Sequence, residues 1–363
     1  MTASFADLTE FAGQPAVALR APDGASAVVL LHGGQVVSWQ PAGGGERLFL
    51  SERSRFGAGA SVRGGMPVIF PQFNERGPLP RHGFVRARPW ALARSEAGAD
   101  DALAVLQMTD DADTRAIWPH PFVLELTVCV RGERLDVELA VSNAGNEMFS
   151  FMAALHTYLR VAEVEAVRLI GLTGGRYEDF TTGTTHVDAA EAVRVDGEID
   201  RIYWGVRAPL VLAEAQRRLR LEAANFNEVV VWNPWEDKAA MMADLAPADF
   251  RRFLCVEAAL IERPVQLAAG DQWWGRQTLI AGRRRDQPAG SRASCSRTLA
   301  SVPEKPASRS RSCATTAAGA RATKLSLPSL LSALRISPSS RAISLPSRSR
   351  SAARSTSITS ISR

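Results

Sequence analysis

Residues 62–86 (VRGGMPVIFPQFNERGPLPRHGFVR) have the composition of an anion-binding pocket. The cationic and titratable side chains of interest in this segment are Arg63, Arg81, His82 and Arg86. Guanidinium groups bind phosphate or carboxylate oxygens through paired, charge-assisted hydrogen bonds. The Gly64-Gly65 pair permits backbone dihedrals and close approaches that residues with a Cβ resist. The segment therefore predicts a site for an anionic small molecule.

Two residues elsewhere in the chain could exchange protons beside that anion. Glu257 ends the apolar strand pattern FLCVE, in which Phe253, Cys255 and Glu257 share one face. Such neighbours disfavour the charged carboxylate, and the raised pKa would make Glu257 a better base near neutrality. The alternative for Glu257 is an edge-strand residue in solvent. His156 lies in AALHTYL, where a single histidine is more often a core residue than a catalytic one.

The charges of the chain divide sharply near Arg283. From Arg283 onward the sequence has 16 Lys and Arg residues against two acidic ones, whereas residues 1–282 have 27 basic and 36 acidic residues. The net charge of +5 and the pI of about 9.4 are therefore properties of the C-terminal part. They do not indicate nucleic-acid binding by the first 282 residues.

We predict one catalytic domain over residues 1–282 and a basic, disordered tail over residues 283–363. The tail is rich in Ser, Arg, Ala and Pro and contains no aromatic residue. Its SRSRS repeats are compatible with RNA binding, although no aromatic platform accompanies them. The alternative is a non-native extension, for example from a shifted reading frame.

The remaining composition excludes several other classes of protein. The four cysteines form no CxxC pair, which argues against a disulfide framework or a zinc site, and Cys129 and Cys255 read as small core residues. The histidines lack metal-ligand spacing, and we predict no metal. The N-terminus resembles no secretory signal, and no apolar run approaches a membrane span. We expect a cytoplasmic monomer without membrane partners.

Residues before 283 read as one short strand after another, which must position the candidate site. The runs are β-branched or alternating and are separated by Gly, Asn, Asp or Pro. They cover residues 28–31, 35–39, 103–108, 123–130, 135–141, 151–159, 167–172, 210–212, 219–223 and 229–232. Helical periodicity is nearly absent, apart from one possible turn at residues 246–250. The pattern predicts an all-β fold, an antiparallel sandwich or barrel.

Eight blocks in order along the chain carry a resemblance to a known family. They are LLHGGQVVSWQP, LFLSERSRF, RGGMP with FPQF and HGFVR, ALHTYLRV, GGRYEDF, EIDRIY, VVVWNPWEDKAAMMAD and FLCVEAA. Between about residues 16 and 279, the chain resembles the D-hexose-6-phosphate mutarotases, or glucose-6-phosphate 1-epimerases, within the aldose 1-epimerase family. The resemblance implies a galactose-mutarotase-like β-supersandwich. It also implies interconversion of the α and β anomers of a hexose 6-phosphate, without metal or organic cofactor.

The same resemblance assigns roles to individual residues. Glu257 is the implied base and His156 the implied acid. Arg63, Arg81 and Arg86 are implied phosphate ligands, with His82 close to the sugar. The family often has Gln where this chain has Arg81, so Arg81 either strengthens phosphate binding or turns outward. Asp200 matches a position that hydrogen-bonds sugar hydroxyls, with a turn residue before a strand as the alternative.

Three functions remain open from the sequence. The first is the phosphohexose mutarotase, whose partner is a small sugar phosphate. The second is an aldose 1-epimerase for a neutral sugar such as galactose, against which the clustered arginines argue. The third is a non-catalytic sugar-phosphate-binding module, which would need neither His156 nor Glu257.

Overall fold

The computed structural model describes residues 5–283 of the chain. Within that range the fold is built from antiparallel β-strands in three sheets. The predicted all-β class is therefore confirmed. The predicted disorder of residues 283–363 concerns a segment that, from residue 284 onward, lies outside the described residues.

The first sheet has four strands that follow one another along the chain. They are β1 (Phe5–Phe11), β2 (Gln14–Arg20), β3 (Ser26–Leu30) and β4 (Gln35–Gln40). Short turns connect these strands, as expected for consecutive antiparallel neighbours.

The second sheet has eight strands drawn from distant parts of the described chain. They are β5 (Val68–Ile69), β10 (Phe149–Leu155), β11 (Tyr158–Arg160), β13 (Arg176–Asp179), β14 (Thr184–Val187), β16 (Ile199–Trp204), β19 (Glu228–Asn233) and β20 (Phe253–Leu267). Their order is β14-β13-β16-β19-β20-β10-β5, and β11 pairs with β20 beyond the end of β10. Strand β20 is thus central, with a paired neighbour on each side.

The third sheet has nine strands. They are β6 (Ala91–Ala97), β7 (Ala102–Thr109), β8 (Phe122–Arg131), β9 (Arg134–Asn143), β12 (Arg168–Ile170), β15 (Ala192–Val193), β17 (Leu210–Ala213), β18 (Arg217–Ala224) and β21 (Gln272–Arg283). Their order is β15-β12-β17-β18-β21-β9-β8-β7-β6.

One apolar core joins the three sheets. It contains Leu19 from the first sheet, Leu155 and Val256 from the second, and Val137 and Leu279 from the third, all nearly inaccessible to solvent. Because side chains alternate along a strand, residues next to Val256 and Leu155 must face away from this core. Cys129 and Cys255 are both buried, as predicted.

Helices are short in the described part of the chain. The α-helices are α1 (Ala112–Ile117) and α2 (Trp235–Ala240), and 3-10 turns cover Val85–Ala87, Val164–Ala166 and Pro247–Arg252. The turn expected at residues 246–250 is the last of these. Among residues 5–283, no helix is long and apolar enough to cross a lipid bilayer.

The strand predicted at residues 151–159 is wrong in one respect, because it is two strands. Strand β10 ends at Leu155 and β11 begins at Tyr158, leaving His156 and Thr157 between them. The His156 N–H donates to the Pro67 carbonyl, and the Thr157 N–H turns back to Leu155. An apolar pattern cannot reveal this break, since the alternation of side chains continues through it.

Candidate active site

A cavity of about 260 Å³ lies on the face of the eight-stranded sheet that is turned away from the core. All seven residues singled out in the sequence line it: Arg63, Arg81, His82, Arg86, His156, Asp200 and Glu257. The other lining residues are Phe73, Asn74, Val230, Trp232, Lys238, Met241 and Met242. The fold thus brings together residues that are nearly 200 positions apart in the sequence.

The floor of the cavity is the cross-strand pair His156 and Glu257. Leu155 pairs with Ala258 and Tyr158 pairs with Cys255, and this common register places His156 opposite Glu257. His156 Nδ1 lies 3.2 Å from Glu257 Oε1. Neither His156 Nδ1 nor Glu257 Oε2 has a hydrogen-bond partner among the described residues. Two buried polar atoms are therefore left for a ligand to satisfy.

Burial controls the proton affinity of Glu257. Glu257 is 1% exposed and lies on the central strand β20, so the alternative that it is an edge-strand residue in solvent is wrong. Burial raises the pKa of Glu257 well above its usual value, the charge of Asp200 raises it further, and Arg86 opposes the shift. This is the direction expected from the apolar FLCVE pattern.

The His156 ring is fixed by aromatic neighbours. Tyr158 stacks on it with 4.8 Å between ring centroids and 10° between planes, and Trp232 meets it edge-on at 6.0 Å. Burial lowers the pKa of His156 well below its usual value, and His82, Arg86 and Arg63 add to the effect. A neutral imidazole thus faces a carboxyl group of raised pKa. Burial thus makes the Glu257 carboxylate a stronger base, and the protonated form of His156 a stronger acid, than either group is in water.

Arg63 is held at the cavity by two partners. Its Nε donates to Asp244 Oδ2 at 3.2 Å, and its Nη1 donates to the Tyr158 hydroxyl at 2.9 Å. Burial opposes the charged guanidinium, but the contacts with Tyr158 and Asp244 outweigh it and raise the pKa of Arg63. The two glycines that follow make this path possible. A Cβ at Gly64 would lie 2.3 Å from the Phe49 carbonyl oxygen, and one at Gly65 would lie 2.3 Å from that of Val36.

Arg81 and Arg86 lie together on the opposite loop. Arg86 is half-buried, and its Nη2 donates to the Arg81 carbonyl at 3.1 Å. Burial lowers the pKa of Arg86, with Arg63 and Arg81 adding to the effect, although a guanidinium remains charged in proteins. Arg81 is exposed, and its Nε donates to Asn74 Oδ1 at 2.8 Å. Arg81 therefore lines the cavity from its outer rim.

His82 is a neutral donor and not a proton-transfer group. Burial, followed by the charges of Arg86, Arg81 and Arg63, lowers the pKa of His82 to about 3. The Asn74 N–H donates to His82 Nδ1 at 3.2 Å, which places the ring proton on Nε2. The backbone here is left-handed, and a Cβ on Gly83 would lie 1.9 Å from the Phe70 carbonyl oxygen.

Asp200 lies within strand β16 beside Trp232 of β19, so the alternative of a turn residue is wrong. Burial raises the pKa of Asp200 to about 6, while the nearby Lys238 opposes the shift. Lys238 in turn donates to Glu198 Oε1 at 2.6 Å. The cavity thus contains a second carboxyl group besides that of Glu257.

Sequence reasoning missed several residues of the site. Tyr158 could have been found, because it is two positions from His156 and shares its face in a strand. Asn74, Lys238, Asp244 and the two methionines of the rim come from loops and from α2, where no periodicity gives their direction. Of the two indoles in VWNPW, Trp232 lines the cavity whereas Trp235 packs on Phe250. In residues 5–283, no group of three or more His, Cys, Asp or Glu side chains is arranged to hold a metal ion.

Comparison with known proteins gives a consistent result. The profile of the aldose 1-epimerase family matches residues 15–279. A protein of Cenchrus ciliaris, named as a proposed glucose-6-phosphate 1-epimerase, is 32% identical over 290 residues, covering 76% of this chain and 88% of that protein.

Solved structures are similar over the same region. The crystal structure of a proposed mutarotase from Salmonella typhimurium superposes with a TM-score of 0.71 at 27% identity, covering 77% of this chain and 94% of the other. Galactose 1-epimerase from Lactobacillus acidophilus superposes with a TM-score of 0.61 at 13% identity, covering 77% and 99%. The second likeness is one of fold alone, and it agrees with the expected galactose-mutarotase-like sandwich.

Proposed function

The chain belongs to the aldose 1-epimerase family of isomerases, and we propose that it interconverts the α and β anomers of a hexose 6-phosphate. The observation that carries this proposal is the cavity itself. Its floor holds a carboxyl and an imidazole 3.2 Å apart, and its walls hold three arginines. Glucose 6-phosphate is the substrate we favour.

The floor supplies the acid and the base. In the direction of ring opening, the Glu257 carboxylate takes the proton of the anomeric hydroxyl while the imidazolium form of His156 protonates the ring oxygen. The substrate phosphate favours that form, because it offsets the charges of Arg86 and Arg63 that lower the pKa of His156 in the free protein. The C1–O5 bond breaks, the aldehyde forms, and C1 turns about its bond to C2. Reclosure on the other face returns both protons. Because reactant and product differ only at C1, the same pair serves both directions. The raised pKa of Glu257 makes it a stronger base, and the lowered pKa of His156 makes its protonated form a stronger acid.

The arginines bind the phosphate. Arg86 and Arg63 are half-buried, so their charge-assisted hydrogen bonds are less screened by water than those of surface arginines. Arg81 adds charge from the exposed rim. A neutral sugar offers no partner for this cluster, which favours the phosphorylated substrate over galactose.

The remaining polar residues bind sugar hydroxyls. His82, neutral and protonated on Nε2, donates to a hydroxyl, and Asp200 accepts from one once it is ionised. Trp232 presents its ring to the same space. These contacts orient the pyranose so that its anomeric centre lies over the floor pair.

Rapid polarimetry with α-glucose 6-phosphate, α-glucose and α-galactose tests the proposal. We expect faster loss of optical rotation for glucose 6-phosphate, with much smaller effects on the neutral sugars at equal concentration. Acceleration for galactose alone would assign the enzyme to neutral sugars. Binding of glucose 6-phosphate without acceleration would leave a non-catalytic module.

A further inference from the structure

A ring of three hydrogen bonds lies directly beneath the floor pair, on the core side of the sheet. The Thr157 hydroxyl donates to Gln277 Oε1 at 2.5 Å, and Gln277 Nε2 donates to the Val256 carbonyl at 3.1 Å. The Val256 N–H closes the ring by donating to the Thr157 carbonyl at 3.1 Å. All three residues are buried, and Gln277 is 3% exposed.

The ring joins the two strands at the positions next to the floor residues. Thr157 follows His156, and Val256 precedes Glu257. Gln277 lies on β21 of the nine-stranded sheet and reaches across the core. Its amide therefore contacts the Thr157 hydroxyl on one segment and the Val256 carbonyl on the other, from the side opposite the cavity.

The ring lies where regular pairing between the strands is interrupted. The Thr157 N–H turns back to the Leu155 carbonyl and away from β20, and β10 and β11 stop on either side of the break. Fewer ladder hydrogen bonds therefore fix the spacing of His156 from Glu257 than at a normal cross-strand position. The hydrogen bond from Gln277 to the β20 backbone replaces the missing ladder bond from the core side of the sheet.

A buried glutamine in an apolar core is costly unless its amide is fully paired. Here the amide oxygen and one of the two amide hydrogens are paired, and buried hydrogen bonds of this kind fix one geometry more strongly than apolar packing does. We propose that Gln277 is a positioning residue, which sets the separation and orientation of His156 and Glu257. This inference rests on the proposed function of that pair.

The test compares Gln277→Leu, Thr157→Val and the double variant in the full-length protein, with kcat, KM and Tm measured for each. Gln277→Leu is expected to lower kcat for anomer exchange by roughly 10- to 100-fold, because misplacing a catalytic group by about 1 Å costs up to that factor. KM is expected to stay within about threefold, since the phosphate site is untouched. Thr157→Ser, which keeps the hydroxyl, is expected to restore most of the activity lost in Thr157→Val.

Stability separates positioning from a structural role. Thr157→Val leaves the Gln277 amide oxygen unpaired, which is expected to lower Tm by roughly 2–10 °C. Adding Gln277→Leu removes that unpaired amide but also the partner of the Val256 carbonyl, so part of the lost Tm is expected to return while kcat stays low. Recovery of kcat together with Tm would overturn the proposal, and so would a Gln277→Leu variant with kcat within about twofold of the wild type.

The matched control is Thr278→Val on the same strand. Thr278 is also buried and donates its hydroxyl to Asp136, but its contacts lie away from the floor. This variant is expected to lose stability without losing kcat.

A crystal structure of Gln277→Leu gives a result that does not depend on the reaction. A change of more than about 0.5 Å between His156 Nδ1 and Glu257 Oε1 is expected, since designed and natural sites need positions held within about that distance. An unchanged distance would overturn the inference even if the wild-type protein acts on another substrate. Absence of exchange in the wild type would instead contradict the proposed function.

Discussion

The floor and the rim of the cavity are built in opposite ways. The floor residues His156 and Glu257 lie in or between central strands, are almost completely buried and have polar atoms without partners. The three arginines, here together called the rim, lie outside the sheets: Arg63 and Arg81 on loops and Arg86 in the 3-10 turn Val85–Ala87. Each keeps some exposure and is anchored by a hydrogen bond to a neighbour.

Because of this difference, the floor residues are suited to proton transfer and the rim residues to binding an anion. Burial moves the pKa of His156 down and that of Glu257 up, because only 8% and 1% of these residues, respectively, are exposed. The arginines of the rim cannot be buried to the same degree, because they must remain accessible to the phosphate of an incoming substrate. We therefore expect floor variants to change the rate at saturation and rim variants to change the affinity.

The largest effect is expected from Glu257→Gln, which keeps the shape of the floor but cannot take up a proton. The chemical step should slow by roughly two to four powers of ten, the usual range for a general base, with KM nearly unchanged. Exchange NMR on glucose 6-phosphate measures both. Glu236→Gln on α2, which is exposed, is the control. Near-native turnover would remove Glu257 from its role and break the contrast between floor and rim.

Arg86→Ala should raise KM for the phosphorylated sugar by roughly 10- to 100-fold, since it deletes charge-assisted hydrogen bonds at a half-buried position. The rate at saturation should change little. Exposed Arg218→Ala, on β18 of the other sheet, removes the same charge as a control. Equal losses for phosphorylated and unphosphorylated sugars would count against a phosphate site.

Asp200 tests whether burial raises the pKa of a second carboxyl group in the cavity, as it does that of Glu257. Burial raises its pKa to about 6, above the ~3.9 of an unfolded chain. Because the pKa is raised in the folded state, the Asp200 carboxyl lowers the stability of the fold only when it ionises. The stability of the protein is therefore unaffected below about pH 4 and falls as the pH rises through about 6. Asp200→Asn should therefore melt a few degrees higher than the wild type at pH 8.

That advantage should disappear near pH 4, where both proteins carry a neutral group. Thermal unfolding without substrate measures it, and Asp237→Asn on the exposed side of α2 is the control. A stability gain that grows as the pH falls would have the wrong sign for a buried carboxyl.

The smallest effect is expected from Arg81→Gln. Arg81 is exposed and is already bonded to Asn74, so its charge is well screened. KM for the phosphorylated sugar should rise by no more than about fivefold, as for exposed ion pairs. Measuring KM for glucose 6-phosphate in both variants compares the effect of Arg81→Gln with that of Arg86→Ala. A loss as large as that of Arg86→Ala would place Arg81 among the main phosphate ligands.

The sequence predicted the floor better than the rim. Alternation along FLCVE gives the face and the apolar neighbours of Glu257, so both its burial and the direction of its pKa could be inferred. The glycines at positions 64 and 65 also have the tight approaches that their type suggested. Most of the predicted strands lie within observed ones, because their periodicity reflects one buried and one exposed face.

Other features depend on contacts between segments far apart in the chain. The Arg63–Asp244 pair spans 181 positions, and nothing near either residue indicates the other. The break between β10 and β11 lies where the Thr157 N–H turns back to Leu155, and the Val256 carbonyl opposite is bonded by Gln277 from another sheet. Gln277 reads as an ordinary polar residue of the last strand until its partners on the other sheet are known. Local patterns give faces of strands, whereas partners require the fold.

The most direct test of the division between floor and rim is exchange NMR on glucose 6-phosphate over a wide concentration range, with the wild type, Glu257→Gln and Arg86→Ala compared. The account predicts that Arg86→Ala approaches the wild-type rate at saturating substrate, whereas Glu257→Gln stays slow at every concentration. Recovery of Glu257→Gln at saturation, or an Arg86→Ala variant that remains slow there, would contradict it.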